Sequence, residues 1–127
     1  MKFTTRETIE HLEDAIQKSY HLPIFKGYKA INKSGVFKLI DELYTNLPTD
    51  VLKAREYLKS RNYDLQQNSG ETNVYDVIKN FELSLYEGFS IFGNLVICNI
   101  RDLEKLLKDI ENNIPEEIIK AEVISKQ

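Results

Sequence analysis

An internal repeat constrains this chain more than any single motif does. Residues 24–60 laid over residues 91–127 at a constant offset of 67, without a gap, give ten identities. These are Ile24/Ile91, Phe25/Phe92, Asn32/Asn99, Lys38/Lys105, Leu39/Leu106, Asn46/Asn113, Pro48/Pro115, Lys53/Lys120, Ala54/Ala121 and Lys59/Lys126. Chance alone gives about two or three at ordinary residue frequencies. The conservative pairs Val36/Leu103, Ile40/Leu107, Leu43/Ile110, Leu47/Ile114, Val51/Ile118 and Leu52/Ile119 keep the apolar positions in phase. The same face is therefore buried twice. Two copies are too few for a solenoid, so the repeat predicts a closed pseudo-twofold pair.

Each copy reads as helix, short strand, helix, helix, which makes the fold class mainly α with minor β. Upstream helical faces are spelled by Ile9, Leu12, Ile16 and Tyr20 in the first copy and by Val74, Val77, Phe81 and Leu85 in the second, spaced three and four apart. Ile24–Ile31 and Ile91–Cys98 carry β-branched and aromatic residues and predict strands that pair as a two-stranded antiparallel ribbon. Asn32 and Asn99 are placed to cap the helices that follow, over 33–46 and 100–113. Both helices are expected to stop at the matched elements Asn46-Leu47-Pro48 and Asn113-Ile114-Pro115, because proline disfavours helical geometry in the residue before it. Asp50, Glu116 and Glu117 then place negative charge at the start of the last helices. The organisation expected is a first unit at 1–62, a polar linker at 63–73 around Gly70, and a second unit at 74–127, packed together as one domain.

With 127 residues, 42% of them apolar and 29% charged, the chain has the composition of a folded globular domain. No apolar run approaches the roughly 20 residues of a membrane span. The N-terminus turns acidic before any signal-like stretch, so a cytoplasmic location is expected. One cysteine rules out an internal disulfide, and with only two histidines beside it no cofactor or metal is expected. Cys98 falls within the second predicted strand and reads as a buried apolar thiol; His11 and His21 read as ordinary exposed imidazoles. Asp41 and Glu42 are neighbours in sequence and point about 100° apart on a helix, so they form no joint acid–base site. Tyr44 and Tyr57 fall at the edge of buried faces. No catalytic residues are assigned, and the chain reads as a non-enzyme.

Charge divides unevenly. Residues 1–61 hold 11 Lys and Arg against 8 Asp and Glu, net +3, whereas 62–127 hold 6 against 12, net −6. In the first half Lys26, Lys29, Lys33 and Lys38, with Phe25, Tyr28 and Phe37 interleaved, form a candidate partner or anion patch that would meet an anionic membrane surface or nucleic acid. A sequence pI near 5.4 disfavours nucleic acid as the partner. The repeat interface is assigned to Val36, Leu39, Ile40, Leu43, Leu103, Leu106, Leu107 and Ile110.

The run from Ile9 to Arg61 also carries Leu22-Pro23-Ile24, Ile31-Asn32, Leu39-Ile40-Asp41-Glu42-Leu43, Asn46-Leu47-Pro48, and Ala54-Arg55 with Leu58. In these residues it resembles the small N-terminal module of bacterial DivIVA-like proteins, also described as ATP-synthase-b-like. The second copy matches more loosely through Ile91-Phe92, Leu106-Leu107, Ile114-Pro115 and Ala121. The resemblance implies a non-catalytic scaffold of cell division or the envelope, self-associating and in peripheral contact with the inner face of the membrane. In that family the module runs into a coiled coil; here a second copy stands in its place, which implies a monomer or small homo-oligomer. Two readings stay open: a scaffold or adaptor that docks through apolar surface, and a binding module for membrane head groups or nucleic acid through Lys26–Lys38.

Overall fold

The computed structural model describes residues 3–63, 71–91 and 93–126. Its elements run α1 (Thr4–Gln17), β1 (Tyr20–His21), β2 (Tyr28–Asn32), α2 (Lys33–Ser60), α3 (Glu71–Glu87), β3 (Phe89–Ile91), β4 (Leu95–Asn99), α4 (Ile100–Asn112) and α5 (Glu116–Ser125). The chain is mainly helical with a minor antiparallel sheet, and the second half repeats the order of the first. Residues 64–70 of the expected linker lie outside the described residues, and residues 71–73 already belong to α3.

The two copies meet strand to strand. β2 and β4 pair antiparallel with Ala30 opposite Ile97, Tyr28 opposite Asn99 and Asn32 opposite Leu95. Ala30 and Ile97 are counterparts at the offset of 67, so each copy offers the other the same edge in the same register, as a twofold requires. The backbone repeats the reciprocity, since Lys33 N–H donates to the Asn94 carbonyl and Ile100 N–H to the Gly27 carbonyl, both at 2.8 Å. The predicted ribbon is thus present, but as the centre of a four-stranded sheet ordered β1-β2-β4-β3. The edge strands are two and three residues long, and Ile24 to Gly27 are a connection and not a strand.

Those edges also correct the gapless alignment. Tyr20 pairs with Ala30 and Phe89 with Ile97, so Tyr20 and Phe89 are equivalent at an offset of 69. The buried stripe Ile9, Leu12, Ile16 of α1 recurs in α3 as Ile78, Phe81, Leu85 at the same offset. The second copy is therefore two residues shorter between its paired strands, and at the offset of 69 Ile91 matches Leu22 and not Ile24; Phe92, in the identity Phe25/Phe92, lies outside the described residues. Ile78 takes the core place expected of Val77, which is only half-buried, and Tyr20 leaves the α1 face for β1.

Asn32 and Asn99 cap their helices, their side chains accepting from Gly35 N–H at 3.1 Å and Asp102 N–H at 3.3 Å. The expected helix ends hold in one copy only. α2 continues through Pro48, which is exposed, while Val36, Ile40, Leu43, Leu47, Val51, Ala54 and Leu58 form one unbroken buried stripe. Burying that stripe on both sides of Pro48 outweighs the roughly 3 kcal/mol that an interior proline costs. In the second copy Asn113 ends α4: its side-chain amide donates to the Asp109 carbonyl at 2.8 Å, and its N–H to Ile110. Pro115 then starts α5, its carbonyl accepting from Ile118 and Ile119.

That continuity moves Asp50. It does not start a helix but sits mid-α2, 2% exposed, where its carboxylate accepts from the Thr5 N–H at 2.7 Å and from the Thr5 hydroxyl. Phe3, the N-cap of α1, has no capping side chain, so Asp50 supplies the anion that the first turn needs. Its counterpart Glu117 is buried too, and pairs with Arg55 of α2 at 3.1 Å. Arg6 of α1 pairs with Glu122 of α5 at 3.1 Å. One core runs through both copies.

Candidate functional site

Residues opposite each other in an antiparallel pair project to the same side, and sides alternate along a strand. Ile31, Val96 and Cys98 face inward and are buried; Gly88 is held without a Cβ against them, since one there would lie 2.4 Å from Val96 Cγ2 and 2.9 Å from Cys98 Sγ. The opposite side carries a row across all four strands, Tyr20, Ala30, Ile97 and Phe89. Its outer members Tyr20 and Phe89 are 70% and 76% exposed. Tyr28 and Leu95 lie two residues along on the same side, exposed and half-buried. The connection leaving β1 carries two further exposed apolar residues, Ile24 at 85% and Phe25 at 56%. Isolated apolar residues at a surface are ordinary; here Tyr20, Tyr28, Phe89, Leu95 and Ile97 share one side of the sheet, with Ala30 itself buried.

Sequence reasoning reached Tyr28 of this face but not Tyr20, Ile97 or Phe89. The available signal was the single step Phe89-Ser90 and the apolar run Leu95-Val96-Ile97, both too short to stand out.

The four lysines of the expected patch do not act together. Lys29 donates to the Gln17 carbonyl at 3.1 Å and the Ile16 carbonyl at 3.4 Å, placing its charge at the C-terminal end of α1, where the macrodipole favours it. Lys33 lies over the rings of Tyr86 and Phe37, 5.2 and 5.7 Å from their centroids. Lys26, on the hairpin connection, and Lys38, on α2, are exposed. Of the interface residues, Val36, Ile40, Leu43, Leu103, Leu107 and Ile110 are buried; Leu39 and Leu106 are half-buried at the core's edge, a correction to their central placement.

Burial pushes the Cys98 thiol up to about 11, which keeps it a neutral apolar side chain at ordinary pH. The Tyr44 hydroxyl is raised by burial first, then by Glu82 and Asp41. Its ring stacks on Tyr75 with centroids 6.2 Å apart. His11 and His21 are exposed. Among the described residues no three His, Cys, Asp or Glu side chains converge to hold a metal ion, and no helix is long and apolar enough to cross a membrane. Comparison with protein-family models, with curated proteins and with solved structures finds no match.

Proposed function

We propose that this protein is a non-catalytic interaction module, a scaffold or adaptor that engages a protein partner through the outer side of its sheet. The carrying observation is the row Tyr20–Ala30–Ile97–Phe89, whose two aromatic ends stand exposed on opposite edges of the sheet. Aromatic residues concentrate binding energy at protein interfaces because they remove a large apolar area from water at little conformational cost. The resemblance of Ile9–Arg61 to the DivIVA-like module extends the proposal to a process at the division site or envelope. The dispersal of Lys29 and Lys33 into internal contacts favours apolar docking over an anion-binding patch.

A photo-crosslinking amino acid at Phe89 in the host cell, with the same group at exposed Lys53 as the control, tests the proposal. An adduct specific to position 89, lost on Tyr20→Ser in a protein that still melts normally, supports it. A fluorescent fusion that gathers at the septum or poles supports the division reading, and a diffuse signal removes it. Binding to anionic vesicles that falls steeply with salt and is abolished by Lys26→Glu overturns apolar docking in favour of the charged patch.

A further inference from the structure

The two copies bury the same stripes but treat one pair of equivalent grooves differently. Between α2 and α3 the chain fills the groove with its own aromatic side chains. Phe37 and Tyr86 meet with centroids 4.7 Å apart, Tyr44 stacks on Tyr75, and Lys33 lies over the first pair. Between α4 and α1 the counterpart is an open cavity of about 320 Å³. Glu104 there occupies the position of Phe37, Gln17 that of Tyr86, and Glu111 that of Tyr44. The apolar floor is retained, since Ile16 and Leu107 correspond to Leu85 and Ile40. The rim carries Glu13, Glu104 and Glu111 against Lys108; Glu13 matches Glu82 and Lys108 replaces Asp41, so the carboxylates particular to this groove are Glu104 and Glu111, which stand where the twin has the rings of Phe37 and Tyr44.

We infer that the α1/α4 groove receives a segment of a partner protein that presents an aromatic side chain beside a lysine or arginine. Two observations select that chemistry. The twin groove, on the same floor, is packed by aromatic rings with a lysine over them. The open groove has lost the rings together with Lys33, whose place Ile100 takes, and two of those rings are replaced by the carboxylates Glu104 and Glu111, which a cation complements. This site lies between helices and is separate from the sheet's outer side, so it stands or falls independently of the proposed function.

The experiment is an amide NMR titration of the full chain with a synthetic 12-residue peptide of alanine and glutamine carrying one Lys and one Phe four residues apart. That is the spacing of Lys33 and Phe37. The expected result is saturable shifts centred on Gln17, Glu104 and Glu111, weakened at least tenfold when the peptide's Phe becomes Ala or its Lys becomes Glu. Gln17→Tyr with Glu104→Phe copies the rings of the twin groove and should abolish binding in a folded protein. Should that pair not fold, Glu13→Lys with Glu111→Lys, on the rim, should weaken binding at least tenfold. Absence of saturable shifts, binding that survives the rim reversal, or shifts confined to Tyr20 and Phe89 overturns the inference. So do shifts at the groove that follow protein concentration without peptide, since they assign it to a second copy.

Discussion

Replacing Asp50 with Ala tests how this fold secures its first helix. α1 begins without a capping side chain at Phe3, and the Asp50 carboxylate reaches it from the middle of α2, accepting from both the N–H and the hydroxyl of Thr5. Both residues are buried, so water does not replace the lost acceptor. Each of the two buried Thr5 donors left stranded costs about 1–3 kcal/mol. Loss of an anion at a helix N-terminus costs a further ~0.3–1 kcal/mol, more when partly buried. Relief from desolvating the carboxylate offsets part of this, leaving a net loss of about 2–4 kcal/mol. Against a total stability of roughly 5–15 kcal/mol, that is a large fraction. Urea unfolding followed by circular dichroism at neutral pH measures it, and the midpoint temperature should fall by roughly 6–16 °C. Asp50→Asn keeps an acceptor oxygen and loses only the charge, so it should cost about half as much. A cost for Asp50→Ala within about 0.5 kcal/mol of zero, the range of ordinary surface substitutions, would refute the cross-helix cap.

Leu107→Ala, at a buried position, should cost about 2–5 kcal/mol in urea unfolding, while Leu106→Ala, at the half-buried edge, should cost less than half as much; equal losses contradict the burial difference. For Cys98 the folded-state value of about 11 lies above the reference of 9.0. The thiol is neutral in both states below pH 9, and the unfolded chain ionises first above it, so stability should fall as pH rises from 9 through about 11. Thermal melts of the parent and Cys98→Val across that window should differ in slope, and matching slopes refute the buried-thiol reading. At pH 8 an aromatic disulfide reagent should label Cys98 only after urea is added.

The duplication and most of the core were legible because burial periodicity is written in single residues. Val36, Ile40, Leu43 and their partners Leu103, Leu107, Ile110 are buried as their spacing requires, and Asn32 and Asn99 cap as small acceptors before an apolar run should. Tertiary competition was not legible. Asn46-Leu47-Pro48 and Asn113-Ile114-Pro115 are near copies, yet one lies inside a helix and the other ends one; the difference rests on the stripe buried beyond Pro48 and on the Asn113 bond to Asp109. The lysine run failed for a related reason: a cation four residues from another in sequence finds different partners once α1 and α3 close over β2 and α2. The outer sheet row was hidden because its four residues come from four strands, two of them too short to show alternation.

Phe37 and Glu104 stand at the same place in the two halves, and a single covalent chain is what lets them differ. In an assembly of two identical subunits every substitution arrives in duplicate, so blocking one recess blocks its mirror image. Fusion lifts that restriction: one side is free to specialise in holding the molecule together while its sibling is released for recognition.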